Sequence, residues 1–296
     1  VCFVGKLDDW EKQRSGVPDD VICINFPMWT EIGTNYVYWE DIIRKYEPIT
    51  TNYLPDYNDL ITIIYTSGTT GLPKGVVHRY HAFGFAATNA LDVIGGLDTS
   101  ERFFSYLPLS HIAERMLVEM GGIYTGGSLS FAESLDTFPA NLKDTQPTIF
   151  LAVPRIWTKF QMGILNKMPQ SRLDLLMKIP IVSTLIKHKI KQGLGLDKAK
   201  MLFTGAAPMP VSTMLWFEKI GFTIYEAYAM TENAAYSNIN THKARKPGTV
   251  GQALPMNEMR ISDEGEIQCK SEAIMLGYYK EPEKTKETIT DDGWLK

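Results

Sequence analysis

Cysteine is scarce. The 296 residues hold only Cys2, Cys23 and Cys269, too few for a disulfide framework and too scattered for metal-ligand spacing, so a reducing, cytoplasmic setting is expected. No apolar run approaches the roughly 20 residues needed to span a bilayer, and no segment has the layout of a secretory signal. A basic excess is also missing. Thirty Lys and Arg stand against 34 Asp and Glu, a net charge of −4, which argues against a dedicated nucleic-acid binder. Internal repeats and low-complexity stretches are absent. What is present is a globular composition, 44% hydrophobic, 22% charged and 11% aromatic, which excludes a disordered tail. The length suffices to bury a substantial core without covalent staples.

At roughly 100–200 residues per domain, the chain fits one large domain or two modest ones. It opens inside an apolar run, Val1–Gly5, that reads as a strand in progress, and it stops just after a turn signal at Asp291–Gly293. Both ends are expected to be cuts within a longer polypeptide. Leu60–Tyr65 is β-branched and aromatic and reads as a fully buried strand. Gly75–His78, Arg102–Tyr106, Ser128–Phe131, Thr148–Val153, Lys200–Phe203 and Phe222–Tyr225 read as further strands. Helices are expected over 80–94, 111–124, 134–145, 155–166 and 210–219, with another from Ser171 that Pro180 breaks or kinks. This alternation implies a layered α/β core with a mostly parallel sheet over residues 1–247. Gly- and Pro-punctuated short strands over 248–296 imply a small β-rich lobe.

The most informative stretch follows the first of these strands. Over Thr66–Gly75, three glycines, four hydroxyls and Lys74 occur in ten residues. Glycines let backbone N–H groups converge on an anion. Thr66, Ser67, Thr69 and Thr70 add donors and Lys74 a positive charge, which makes a polyphosphate cradle. It is not a Walker loop, because Pro73 precedes Lys74 and Gly75 follows it. A second constellation, Tyr225–Glu232, offers an aromatic face for a base and a Thr231–Glu232 pair suited to phosphate and Mg²⁺. Phe203–Pro208 runs a strand into a turn of small residues, Gly205, Ala206 and Ala207, over which a flat base can approach the backbone. His111 follows a strand in Leu107–Arg115; alone, such a histidine is more often structural than catalytic. Apolar Met116, Val118 and Met120 could line a tunnel, with core packing the plainer reading. Lys187, His188, Lys189 and Lys191 lie opposite an apolar helical stripe. A solvated face is the plain reading there, and peripheral contact with an anionic membrane the alternative.

TSGTTGLPKGV, residues 66–76, resembles the signature of the AMP-forming adenylating enzymes, which include acyl-CoA synthetases, luciferase-like ligases and peptide-synthetase adenylation domains. The resemblance implies the layered α/β N-terminal domain of that superfamily. Thr66, Ser67, Gly68, Thr69, Thr70, Gly71 and Lys74 would hold the β- and γ-phosphates of ATP. Tyr225–Glu232 resembles the Y-G-x-T-E motif, with Ala229 where glycine is usual. This implies Tyr228 against adenine, Glu226 and Ala227 in the nucleotide-binding segment, Thr231 near the phosphates, and Glu232 with Thr66 at magnesium. Gly205, Ala206 and Ala207 resemble the adenine loop. LPLSHIAER and Val153–Lys159 resemble the long-chain acyl-CoA synthetase branch, including its bubblegum-like members, which places His111 beside the substrate carboxylate. Arg115 stands where some bacterial relatives have an aromatic gate. Gly265–Lys270 and Gly277–Lys280 resemble downstream structural blocks. The superfamily's T-G-D block, hinge and catalytic lysine would follow residue 296, so the segment by itself is expected to be slow or inactive. The implied activity is ATP-dependent activation of a long-chain fatty acid to acyl-adenylate and then acyl-CoA, with ATP and Mg²⁺ as cofactors and CoA as co-substrate. The alternatives are transfer to a carrier protein and a non-catalytic nucleotide-binding module.

Overall fold

The computed structural model describes residues 1–5, 10–27, 36–67 and 72–296. The chain divides into two compact units, Val1–Leu54 and Pro55–Lys296. The first holds β1 (Cys2–Val4), α1 (Trp10–Arg14), β2 (Cys23–Asn25), β3 (Tyr36–Tyr38) and α2 (Trp39–Lys45). Its strands form a parallel sheet in the order β1-β2-β3. Val4, Trp10 and Cys23 make its small core, and the Trp10 indole donates to the Tyr36 hydroxyl at 2.7 Å.

The second unit begins with β4 (Leu60–Ser67) and β5 (Pro73–Arg79), followed by α3 (Tyr80–Ile94) and β6 (Arg102–Ser105). A π-helical segment, Glu114–Met120, continues into α4 (Gly121–Thr125). Then come β7 (Ser128–Phe131), α5 (Phe138–Thr145), β8 (Ile149–Leu151), α6 (Pro154–Lys167), α7 (Gln170–Met177) and α8 (Pro180–Leu194). The chain continues with β9 (Met201–Thr204), α9 (Val211–Lys219), β10 (Ile224–Tyr228), β11 (Asn238–Ile239), β12 (Gln252–Ala253), β13 (Glu258–Ile261), β14 (Ile267–Lys270), β15 (Gly277–Tyr278) and α10 (Pro282–Thr288). Pro180 therefore opens a new helix in its first turn, where a missing N–H costs nothing.

The central sheet has seven strands in the order β12-β11-β10-β9-β8-β6-β7. β6 to β10 are parallel, and β11 and β12 add an antiparallel edge. Successive side chains of a strand face opposite sides, and the packing follows that period. Phe104, Phe150, Leu202 and Ile224 join one apolar cluster with Trp157, Met214 and Phe217. Their neighbours Phe103, Ile149, Phe203 and Tyr225 join another with Val118. A sheet buried on both faces explains why these strands read as continuous apolar runs. This is the mixed α/β layered architecture expected.

One strand differs from expectation. Leu60 and Tyr65 are more than half exposed, and of Leu60–Tyr65 only Ile64 is buried. The reason is topological: β4 is an edge strand of a separate three-stranded antiparallel sheet, β15-β5-β4. The hydroxyl-rich loop thus joins two strands of a hairpin, as opposed to a strand and a helix. Residues after 247 supply β12 to the central sheet, β15 to this smaller sheet and the hairpin β13–β14, all within the second unit.

Candidate active site

A cavity of about 490 Å³ opens where β6, β8, β9 and β10 end. Crevices outside the carboxyl ends of parallel strands are where open α/β sheets bind ligands. Alternate residues of the strands and the turns beyond them form one wall: Phe103, Ile149, Leu151, Phe203, Gly205, Ala227 and Ala229. Ala86, Ala87 and Ala90 of α3, with Met116 of the π-helical segment, close the apolar side. Thr66, Ser67, His111, Thr231 and Glu232 bring polar groups to the same cavity. Residues from at least six separate stretches of sequence therefore share one cleft.

The Thr231–Glu232 turn is held from several directions. Thr231–Asn233 is a 3₁₀ turn, and the buried Asn233 side chain accepts the Met230 N–H at 3.0 Å. His78, fully buried on β5, lies with Nε2 2.7 Å from the Thr231 carbonyl oxygen. A carbonyl can only accept, so Nε2 carries the proton. Nδ1 has no partner. Burial lowers the His78 pKa to about 4, and the nearby Arg115 charge pushes in the same direction. The imidazole is neutral at pH 7. Glu232 Oε1 accepts from the Tyr278 hydroxyl at 2.9 Å, and the Lys74 ammonium lies 5.0 Å from the centre of the Tyr278 ring. Lys74 and Glu232 thus meet the same tyrosine. Burial, the Glu232 charge and this hydrogen bond push the Tyr278 hydroxyl up to about 12.

Backbone strain gathers here as well. Ala206, Ala234 and Ala235 have φ of 63°, 51° and 55°, a region that residues bearing a Cβ seldom adopt, and all three line the cavity. Gly205 permits a close approach, since a Cβ there would stand 3.1 Å from the Ala227 carbonyl oxygen.

Of the residues expected at a nucleotide site, Thr66, Ser67, His111, Gly205, Ala206, Ala227, Thr231 and Glu232 line the cavity. Gly68, Thr69, Thr70 and Gly71 lie outside the described residues. Glu226 is turned away. Strand alternation places it opposite Ala227, where its buried carboxylate accepts the Met209 N–H at 2.9 Å. It braces the loop after β9. Tyr228 also stands opposite Ala227 and Ala229, near Glu232 and Cys269, and its hydroxyl pKa is raised by burial and by those two groups. Ala207 is outside the lining. Met116 lines the cavity whereas Val118 and Met120 are buried in the core. Arg115 is tied to Glu119 at 2.6 Å and to the Thr62 hydroxyl at 2.9 Å and is not part of the wall. His78 and Tyr278 were not anticipated. One read as an ordinary strand residue and the other as part of a structural block.

A cleft of this kind defines the class: an α/β protein with hydroxyl, small-residue and carboxylate segments converging at the carboxyl edge of its sheet. The family described as AMP-binding enzyme matches residues 8–279, and the chain belongs to that family. A Mycobacterium tuberculosis protein named as a fatty-acid–CoA ligase, fadD11, is 33% identical over 270 residues, covering 80% of this chain and 46% of its own length. The long-chain-fatty-acid–CoA ligase ACSBG2 of Gallus gallus is 28% identical over 303 residues, covering 88% and 40%. The crystal structure of the anthranilate CoA ligase AuaEII with anthranoyl-AMP shares the fold, with a TM-score of 0.78, 20% identity and coverage of 99% of this chain and 54% of that one. The chain spans less than half the length of these two curated relatives.

Proposed function

We propose that this chain is the nucleotide- and acyl-binding core of an ATP-dependent ligase that activates a long-chain fatty acid, first as the acyl-adenylate and then as the CoA thioester. The observation that carries this reading is one cavity whose polar residues include Thr66, Ser67, His111, Thr231 and Glu232 and whose interior is mainly apolar. The relatives named for long-chain fatty acids support the substrate class.

In the first step a carboxylate oxygen of the acid bonds to the α-phosphorus of ATP and the bond to pyrophosphate breaks. In the second the CoA sulfur bonds to the acyl carbon, AMP departs and the thiol proton passes to solvent. Both reactants of the first step are anions, so the site must offset charge. The Thr66 and Ser67 hydroxyls and the Lys74 ammonium would hold the departing phosphates. Gly205 and Ala206 would seat the base, and His111 would lie beside the acid's carboxylate. Among the described residues no group of three or more His, Cys, Asp or Glu could hold a metal alone. Magnesium does not need one, since it takes one or two carboxylates together with substrate phosphates and water. Glu232 fits that role. Tyr278 occupies one lone-pair position on Oε1 and leaves the others for a cation, with Thr66 on the same cavity. The ion would supply positive charge at the phosphates.

The test is ATP–pyrophosphate exchange with palmitate, measured on the longest polypeptide that carries this chain. Exchange that depends on fatty acid and falls at least about a hundredfold in Glu232→Gln supports the reading. A folded protein with no exchange for any fatty acid refutes it. Thioester formation on adding CoA separates the CoA acceptor from a carrier protein.

A further inference from the structure

α7 and α8 pack against each other and carry an outer face that the fold leaves bare. None of the residues of α8 is fully buried. Ile186, Ile190 and Leu194 turn one side of it toward the large core. On the other side Ile181 is 78% exposed and Leu185, one turn on, is 58% exposed. The preceding helix and turn add Leu175 at 62% and Ile179 at 47%. Single exposed apolar residues are ordinary, and here four lie within eleven positions.

Between Asp174 and Asp197 the charge is of one sign. Residues 175–196 contain Lys178, Lys187, Lys189 and Lys191 and no Asp or Glu, in a chain of net charge −4. Two of these lysines are used inside the fold. Lys191 lies 5.5 Å from the centre of the Phe222 ring, and Lys187 and Lys191 both flank Gly221. Lys178, His188 and Lys189 are exposed. The nearest exposed acid on α7, Asp174, accepts from Gln170. We propose that the α7–α8 face docks on an anionic lipid surface. Ile179, Ile181 and Leu185 enter the boundary between headgroups and acyl chains, while Lys178 and Lys189 meet the lipid anions. This mixture of bare aliphatic side chains and lysines on a helical surface is what an interfacial helix presents. The inference goes beyond the ligase reading and does not require it. If that reading holds, this face would bring the protein to the phase in which a long-chain acid dissolves.

The experiment is sedimentation of the purified protein with vesicles of phosphatidylcholine alone or mixed with phosphatidylserine. Binding to the anionic vesicles should exceed binding to neutral ones roughly 25-fold, from two outward lysines at about fivefold each. It should also weaken as salt is added. The pair Ile181→Asp and Leu185→Asp should lower binding at least about tenfold. The pair Lys178→Glu and Lys189→Glu should remove the difference between the two vesicles. All four positions are exposed, so thermal unfolding of both double variants should match the wild type. Equal binding to both vesicles, no binding, or variants that bind as the wild type does would overturn the proposal. Capture by an immobilised acidic peptide without vesicle binding would also overturn it, in favour of a protein partner. Failed ATP–pyrophosphate exchange with vesicle binding intact would count against the ligase reading alone.

Discussion

Acidification should destabilise this protein through His78 before general acid unfolding sets in. The imidazole is fully buried, its Nε2 proton is given to the Thr231 carbonyl, and Nδ1 has no partner among the described residues. A second proton would place an unpaired charge in the interior, near the Arg115 guanidinium. The folded-state pKa of about 4 therefore lies below the ordinary 6.5. Between these values the unfolded chain binds a proton that the native protein does not, so stability rises with pH in that window. The contribution is complete above pH 6.5 and is lost as the pH falls through about 4. At 1.36 kcal/mol per pH unit the gap is worth about 3 kcal/mol. The assay is urea unfolding of the wild type and His78→Asn from pH 7 down to 4.5. The asparagine amide can still donate to a carbonyl but does not titrate. The two stabilities should converge as the pH falls, because only the wild type loses the histidine term. Curves that fall in parallel would refute the argument. So would a wild type whose midpoint is flat from pH 6.5 to 5.

Three other outcomes follow from particular contacts. Glu226→Ala leaves the buried Met209 N–H without its acceptor and should cost about 2 kcal/mol in urea unfolding, whereas Glu226→Gln keeps an acceptor and should stay within about 0.5 kcal/mol. Equal damage from both would mean that the charge itself is needed. Tyr278→Phe removes the hydroxyl that Glu232 accepts. It should lower exchange about tenfold with a stability loss near 1 kcal/mol, since the carboxylate is partly solvated; unchanged exchange would show that Glu232 is positioned without it. Gly251→Ala should unfold the antiparallel edge of the central sheet. A Cβ there would stand 2.1 Å from the Ile239 carbonyl oxygen at a φ of 81°, and a loss of at least about 3 kcal/mol is expected. A variant as stable as wild type would contradict that geometry.

The fold was legible wherever burial on both faces of the sheet wrote itself into the chain. Phe103-Phe104, Ile149-Phe150 and Leu202-Phe203 are doublets whose members serve opposite clusters, and no other placement suits such pairs. Helix ends were legible where the punctuation was chemical, as at Gly95, which closes α3 with a φ of 71°. The sequence was silent on the π-helical segment Glu114–Met120. Seven residues with ordinary helical patterning carry no mark of a wider turn. It also misled at Leu60–Tyr65, because β-branched residues suit a half-exposed edge strand as well as a buried one.

The site shows the same division. Hydroxyls, glycines and the Thr231–Glu232 pair could be read because a phosphate or cation site needs those groups, and their spacing is local. What orients them is not local. Tyr278 reaches Glu232 across 46 positions and His78 reaches Thr231 across 153. Both contacts exist because β15 and β4 flank β5 on either side, which carries His78 and Tyr278 to the turn after β10. A histidine after two valines and a tyrosine after a glycine have plain structural readings, and only the pairing of distant strands gives them more. Glu226 shows the opposite case. It sits within the right segment and is of the right type, yet the two-residue period of β10 turns it away from Ala227 and the cavity. Membership of a motif therefore says which residues lie near the cleft. The period of the strand decides which of them face it, and at Glu226 it makes a carboxylate within the motif a brace for the loop after β9.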